Sequence, residues 1–287
     1  MLINISYNLV RNDAFPGVEP LRLCYKNPVV GRTVQEIAYI CPAAGCPAIN
    51  YIIMNLTFPS DDLLLKAIPL RHSVRAYTDT PISADIVDCL RAEIDGINAA
   101  NGTSMKLVTG ETTAFDCFWA HYGKFSNVAS YIIVSGPKGD DFSRVLGFEG
   151  ERLVLAAQAL GLNTCWVGLS YKKSTADFDV PEGHKIRCVI AIGYGATQGT
   201  PRKSKTEAEV SRTPGPAPRW FTKAIDAVLM APTAVNQQRF RFTLRDDGVT
   251  VAEPRFSLVG YTQIDLGIAV CHFILQAPGH DVLWRLK

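Results

Sequence analysis

The 287-residue sequence lacks a strong charge of either sign, with 29 Lys and Arg against 27 Asp and Glu and a net charge of +2. Proteins that bind nucleic acid need a clearly basic face, so a nucleic-acid partner is excluded and a small basic pocket for one anion is not. No apolar run reaches the roughly 18 residues of a membrane helix. The opening Met-Leu-Ile-Asn-Ile-Ser-Tyr has no basic region followed by an apolar one, so neither a membrane partner nor a signal peptide is expected. The eight cysteines form no CxxC pair and no Cys/His group at zinc spacing. Cys165 and Cys188 lie inside apolar runs, as small hydrophobes do. These absences point to a reducing, cytoplasmic protein without a structural metal. Also missing are a nucleophile elbow, an HExxH helix and a P-loop. The five histidines show no pairing with a Ser or Cys that could be activated, which leaves them as surface or satisfied core residues. Apolar residues make up 47% and charged residues 20%, enough for a large packed core.

Residues 1–53 differ from the rest. They carry three of the eight cysteines, are interrupted by Pro16, Pro20, Pro28, Pro42 and Pro47, and keep no helical or strand period for long. They are read as an atypical N-terminal extension, upstream of a native start at Met54 or poorly ordered, ahead of a body spanning 54–287. The mass of the protein from its native source tests this. From Ser60 the pattern is regular. Ser60 or Asp61 caps a helix bearing Leu63, Leu64, Leu65 and Ile68, and Ser83 caps a second with Ile86, Leu90, Ile94 and Ile97 on one stripe. Strands are predicted over 105–109, 131–135 and 186–192. A helix over 149–160 is apolar nearly all round, which places it inside the protein, and Gly161 ends it. A linker-like stretch covers 193–218. A helix over 220–230, a hairpin turning on Arg245-Asp-Asp-Gly248 and a last helix over 263–275 complete an α+β pattern.

Four clusters could carry chemistry. In Arg71-His-Ser-Val-Arg75, two cations and a hydroxyl at i, i+2 and i+4 share one side of an extended segment. Two guanidiniums and a hydroxyl suit a phosphate monoester, and a solvated basic turn is the plainer alternative. In Ala231-Pro-Thr-Ala-Val-Asn-Gln-Gln238, small residues permit close backbone approach to a flat ligand, while Thr233, Asn236 and Gln237 offer donors and acceptors. Otherwise it is a polar turn from helix to strand. In Leu160-Gly-Leu-Asn-Thr-Cys-Trp-Val-Gly168, two glycines bracket a loop whose amides could face a ligand, with Trp166 for stacking; a capped helix with core Cys and Trp is the alternative. Gly193-Tyr-Gly-Ala-Thr-Gln-Gly199 follows a strand like a dinucleotide-binding turn. Its spacing is one residue too long, and Pro201 and a basic stretch follow where the motif needs a helix. Arg202 and Lys203 are read instead as folding back toward an anion.

Together these clusters resemble the FMN-dependent nitroreductase family. The likeness rests on Lys66-Ala-Ile-Pro-Leu-Arg-His-Ser-Val-Arg-Ala-Tyr77 with Pro81-Ile82, on Gly147 through Gly168, and on Ala191-Ile-Gly-Tyr-Gly195 followed by Arg202-Lys203. It covers essentially 54–287. One departure is informative. In ordinary members the Ala-Pro-Ser-x-x-Asn-x-Gln element soon follows the RxSxR segment, whereas its counterpart here stands at Ala231–Gln238. Ordinary members are homodimers that donate this element across the FMN site. The sequence resembles a branch in which two half-subunits are fused, lobe one over 54–205 and lobe two over 206–287.

The resemblance implies a nitroreductase-like α+β fold, with a mixed, mainly antiparallel sheet wrapped by helices and two related lobes. It implies FMN held by Arg71, Ser73, Arg75, Trp166, Val167, Gly168, Arg202, Lys203, Pro232, Thr233, Ala234 and Asn236, no metal, and no catalytic side chain beside flavin N5. The activity it implies is electron transfer from NADH or NADPH to a small acceptor, nitroaromatic or quinone-like. A monomer suffices to build the site, and a homodimer is compatible with it. The alternatives are a flavin-binding or storage module without turnover and another flavin reaction such as fragmentation or reductive dehalogenation.

Overall fold

The computed structural model describes residues 6–9, 19–26, 33–40, 53–118, 120, 123–172 and 178–284. The chain divides into two compact units, Met1–Phe58 with Ser83–Cys89, and Pro59–Ile82 with Leu90–Lys287. In the first, β1 (Ser6–Leu9), β2 (Glu19–Lys26), β3 (Thr33–Ile40) and β4 (Ile53–Asn55) form an antiparallel sheet in that order. The prolines suggested no regular strands here. Pro20 nonetheless sits at the second position of β2, opposite Tyr39, and the Thr-Val and Tyr-Ile pairs of β3 favour extended backbone. The rest of the stretch read as an extension, with Cys41 and Cys46, lies outside the described residues, as does His121.

The second unit begins with α1 (Asp61–Ala67), whose first turn carries Asp61 and Asp62 against the helix dipole. Ser60 stands at the N-cap position but makes no side-chain cap bond. Helix α2 (Ala84–Asn101) follows Ser83 as predicted. Strands β5 (Lys106–Thr109), β6 (Ser130–Pro137), β7 (Asn163–Val167) and β8 (His184–Gly193) form an antiparallel sheet in the order β5-β6-β8-β7. One face of this sheet packs on α3 (Asp140–Ala159). The other holds an aromatic core in which Phe178 stacks between Tyr131 and Tyr171. The segment 163–167 was read as part of a loop. It is a strand, because its Thr, Cys, Trp and Val favour extended backbone and pair with Val189–Gly193 in the centre of the fold. Helix α3 also starts nine residues before the predicted point. Gly147 and Gly150 lower the helical signal there.

The stretch read as a linker contains α4 (Glu207–Val210), opened by a Thr206/Glu209 capping box, and β9 (Ser211–Arg212). After α5 (Arg219–Leu229), β10 (Phe240–Leu244) and β11 (Thr250–Pro254) make the predicted antiparallel hairpin. β9 joins β10 in parallel, and β12 (Val282–Trp284) joins β11 in parallel. Helix α6 (Thr262–Gln276) covers this second sheet, with Phe273 stacked on Phe242 at 5.2 Å. Cys89, Cys117, Cys165, Cys188 and Cys271 form no disulfide. Among the described residues no helix is long and apolar enough to cross a membrane.

Helices α3 and α6 pack along much of their length, both deeply buried. Two glycines make this approach possible. A side-chain carbon on Gly147 would overlap the Ile264 carbonyl, and one on Gly267 would overlap the Arg144 carbonyl. Each glycine therefore meets the carbonyl three residues before the other. Neither overlap can be relieved by a rotamer change, because both involve backbone. Gly267→Ala should therefore cost about 2 kcal/mol net, since a backbone overlap puts the overpacking at the upper end, about 3 kcal/mol, against a gain in helix propensity of about 1 kcal/mol. A thermal melt is expected to shift down by roughly 4–8 °C; an unchanged or higher midpoint would refute the backbone contact.

Candidate functional site

The second unit encloses a cavity of about 530 Å³ between the extended segment after α1, the end of β7, the stretch before α4, the loop after α5 and the first turns of α6. The segment 73–78 is straight because it is pinned on three sides. Val74 N–H donates to the Thr164 carbonyl, Tyr77 N–H to the Ser126 carbonyl and Thr78 N–H to the Tyr194 carbonyl. Alternation sends Val74 into the core and Arg71, Ser73 and Arg75 to the cavity, and Tyr77, out of step with it, is buried as well. The Ser73 hydroxyl bonds Cys165, whose thiol burial pushes up. Arg75 lies over the Phe125 ring, 5.8 Å from its centroid.

This end of the cavity is electropositive. Arg71 is buried at 5% exposure, with its Nη2 3.5 Å from the Met230 carbonyl. Arg202 donates from Nη2 to the carbonyls of Leu229 and Ala231, at 3.1 and 2.5 Å. Burial and the neighbouring Arg71 charge lower the Arg202 pKa to about 10, against a raising effect from Glu151. The His72 pKa is also lowered, by burial and by the charges of Arg71 and Arg202. Arg71 Nε and Arg202 Nε are buried atoms without a hydrogen-bond partner. Glu151 Oε1 lies 3.8 Å from Arg71 Nε, beyond hydrogen-bonding distance, so two guanidiniums that repel each other and keep donors without hydrogen-bond partners form a place where an anion lowers the energy.

The loop after α5 forms the opposite wall. Pro232, Thr233, Ala234, Val235 and Asn236 all line it. Its backbone is strained, with Val235, Asn236 and Gln238 at φ of 45°, 55° and 43°. Such conformations cost roughly 1–3 kcal/mol each and persist only when the surroundings over-determine them. Several groups do so here. The Lys205 ammonium donates to the Gln237 and Gln238 carbonyls at 3.0 and 2.8 Å. Gln238 N–H donates to the Thr233 hydroxyl at 3.0 Å. Asp265 of α6 accepts from Ala234 N–H at 3.0 Å and from Gln237 Nε2 at 2.7 Å. Asn236 Nδ2 donates to the Lys203 carbonyl at 2.7 Å, leaving Asn236 Oδ1 buried without a partner.

Eleven of the twelve residues picked out from the sequence line this one cavity: Arg71, Ser73, Arg75, Trp166, Val167, Gly168, Arg202, Pro232, Thr233, Ala234 and Asn236. Lys203 does not; it is exposed, and the inward-turned cation of that stretch is Lys205. The stretch is extended, so Arg202 and Lys203 face opposite ways. Four positions at or behind the cavity were not picked out as site residues. Asp265 lines the cavity, and Tyr261, also in its wall, donates its hydroxyl to the Gly168 carbonyl at 3.0 Å. Behind the wall, the buried Glu151 carboxylate accepts from Trp166 Nε1 at 2.9 Å and lies 2.9 Å from His272 Nε2. The available signal for Asp265 and His272 was that they are charged or titratable residues in the otherwise apolar α6, whereas Glu151, between Glu149 and Arg152, carries no such signal. His272 is otherwise the satisfied core histidine expected, with both ring nitrogens bonded.

Residues 63–277 match the model of a protein family described as "Putative TM nitroreductase". The chain belongs to this nitroreductase family. A solved structure described as a "putative nitroreductase" from Thermotoga maritima MSB8 is 21% identical, with a TM-score of 0.51 over 81% of this chain and 88% of that one. The nitroreductase fold predicted from the sequence is therefore present. A "putative nitroreductase" in complex with FMN from Desulfovibrio desulfuricans is 22% identical, with a TM-score of 0.41 over 51% of this chain and 93% of that one. A nitroreductase with bound FMN from Bacteroides fragilis is 24% identical, with a TM-score of 0.37 over 50% and 93%. No curated protein matches the chain.

In this nitroreductase the cavity wall carries, among the described residues, one carboxyl, Asp265. Burial raises its pKa from 3.8 to about 7, against the lowering effect of its bonds from Ala234 and Gln237. Between those two values the folded state keeps a proton that the unfolded chain has released. The stability this provides is complete below about pH 4 and is lost as pH rises toward 7. Asp265→Asn removes that dependence. The stability margin of wild type over the variant, followed by thermal melts, is expected to shrink between pH 4 and 7 by an amount on the order of a few kcal/mol. A margin that stays constant across this range would refute the assignment.

Proposed function

We infer that the cavity binds FMN and that the protein is an oxidoreductase passing electrons from NADH or NADPH to a small, uncharged acceptor. The observation that carries this reading is the pair of buried guanidiniums, Arg71 and Arg202, whose Nε atoms have no hydrogen-bond partner, at one end of a slot of mixed polar and apolar lining. The donor set fits the cofactor. Arg71, Ser73 and Arg75 supply charge and a hydroxyl for a phosphate monoester. Val167, Ile264 and Ile268 supply apolar area for a ring, and Asn236 Oδ1 offers a free acceptor at its edge. The volume lies in the range of roughly 300–1,000 Å³ usual for cofactor sites. When bound, flavin supplies a two-electron carrier at N5, so no acid or base side chain is assigned a step.

The protein's own residues bind, orient and shield. Arg71 and Arg202 anchor the anionic end. The strained 232–236 loop, held by Asp265 and Lys205, presents a rigid polar edge. Leu169, Val235 and Val259, all exposed apolar residues in the cavity wall, rim its mouth. This rim favours a flat apolar acceptor, quinone-like or nitroaromatic, over a charged one.

The same reading makes the chain a fused pair of half-subunits, with lobe one over 54–205 and lobe two over 206–287. Three features support it. The order helix–strand–strand–helix in α2-β5-β6-α3 recurs in α5-β10-β11-α6. Leu146-Gly147-Phe148 and Leu266-Gly267-Ile268 occupy matching places, and the glycine contacts between α3 and α6 are reciprocal. The anionic end then comes from lobe one and the strained loop from lobe two, so a monomer holds a complete site.

Purified protein should be yellow, bleach with NADH or NADPH and recover in air. Yellow protein that does not bleach overturns the reductase in favour of a binding module, and protein that stays colourless with added FMN overturns the flavin site. Arg71→Ala or Arg75→Ala should weaken FMN binding by roughly tenfold to a hundredfold, the equivalent of one charge-assisted hydrogen bond. Full flavin occupancy in the double variant would refute the anion assignment.

A further inference from the structure

The hydrogen count of the pair behind the cavity is set by its neighbours. Glu151 and His272 are both fully buried. His272 Nδ1 lies 2.9 Å from the Ala227 carbonyl. A carbonyl oxygen only accepts, so Nδ1 carries a hydrogen. His272 Nε2 lies 2.9 Å from Glu151 Oε1. A lone pair cannot face a carboxylate oxygen at that distance without a hydrogen between them. Drawn as imidazolium with carboxylate or as imidazole with carboxylic acid, the pair is neutral overall.

That neutrality matters because Glu151 is wired to the cavity. Its Oε2 accepts from the Trp166 indole, its Oε1 lies 3.8 Å from Arg71 Nε, and its charge is felt by Arg202. Without His272, Glu151 would be the counter-charge of both guanidiniums. At separations of a few ångströms inside a protein, one full charge changes anion affinity by roughly tenfold or more.

We propose that His272 is a positioning residue that sets the charge of the cofactor cavity: by sharing a proton with Glu151 it cancels that carboxylate, leaves Arg71 and Arg202 uncompensated for a doubly charged phosphate monoester, and so makes the site select FMN over riboflavin. The proposal rests on the FMN reading above. It means that the selectivity of an anion site built on lobe one is set by a residue of α6, in lobe two.

The test measures equilibrium binding of FMN and of riboflavin, by quenching of flavin fluorescence, to wild type, H272N, E151Q and the double variant. Asn at 272 can still donate to the Ala227 carbonyl but brings no proton to Glu151. The wild-type preference for FMN is expected to fall roughly tenfold or more in H272N. In E151Q it stays within about threefold of wild type, because the amide is neutral and can still accept from Trp166. In the double variant it returns, because no charge is left to cancel. A purely structural role predicts the opposite, with the double variant at least as impaired as H272N, and that result overturns the proposal. If H272N does not fold, E151Q decides alone: retained preference supports the proposal and a tenfold loss overturns it. Arg71→Ala separates the two levels. Loss of preference in that variant while H272N keeps it overturns the role of His272 alone, whereas a wild type without preference for FMN overturns the phosphate reading and the proposal together.

Discussion

The crossing of α3 and α6 is the constraint on which the cavity depends. Gly147 and Gly267 let two helical backbones touch, at a distance no other residue pair would permit. Because the backbones touch, residues four and five positions further on are also brought within hydrogen-bonding distance. Glu151 is one turn beyond Gly147, and His272 is five residues beyond Gly267, and their side chains meet at 2.9 Å. Asp265, two residues before Gly267, points instead to the loop after α5. A single close crossing thus orients the back wall and the strained loop. The energy comes from burying two apolar helices against each other; the polar contacts specify which way the rest of the wall faces.

The loop after α5 shows what that specification costs and what offsets it. Three residues other than glycine sit in the left-handed region within four positions, one of them the β-branched Val235. Glycines would relieve the strain but would leave the loop free to move. The chain instead keeps side chains at these positions and fastens them: Lys205 from the stretch before α4, Thr233 from within the loop and Asp265 from α6 each satisfy part of the backbone. Asp265 is itself buried at some cost, which its raised pKa records. A strained, multiply anchored loop beside a cavity is a preorganised surface, whose shape does not have to be found when a ligand arrives.

The parts of the site that were legible in the sequence are those in which local spacing carries the chemistry. Arg71, Ser73 and Arg75 could be read because alternation along an extended segment needs no knowledge of the rest of the fold. Thr233 and Asn236 could be read because small and amide residues cluster between a helix and a strand. What failed is non-local. β7 looked like a glycine-bracketed loop because its strand character is realised by pairing with β8, and β9 is two residues long and exists through its parallel bond to β10. The first half of α3 was missed because the glycines that weaken its helical signal are there for the partner helix. Glu151 and His272 are 121 positions apart, and nothing in either neighbourhood announces the other.

Charge ties these observations together. A net charge of +2 over 287 residues says nothing about a phosphate site. What decides affinity is the balance within a few ångströms, where burial removes the screening that makes surface charges weak. At that scale Arg71 and Arg202 stand together at one end of the cavity, where burial and then the Arg71 charge lower the Arg202 pKa to about 10, and Glu151 behind the wall is a carboxylate that could offset them. Were Glu151 free to act as their counter-ion, the guanidiniums would be satisfied within the protein and an anion would have to compete for them. His272 occupies that carboxylate from behind, so the positive charge faces the cavity. The buried pair adds little to stability by itself, because the desolvation of both groups offsets most of their attraction. Its effect is on direction: it determines which of the cavity's charges remain available to a ligand.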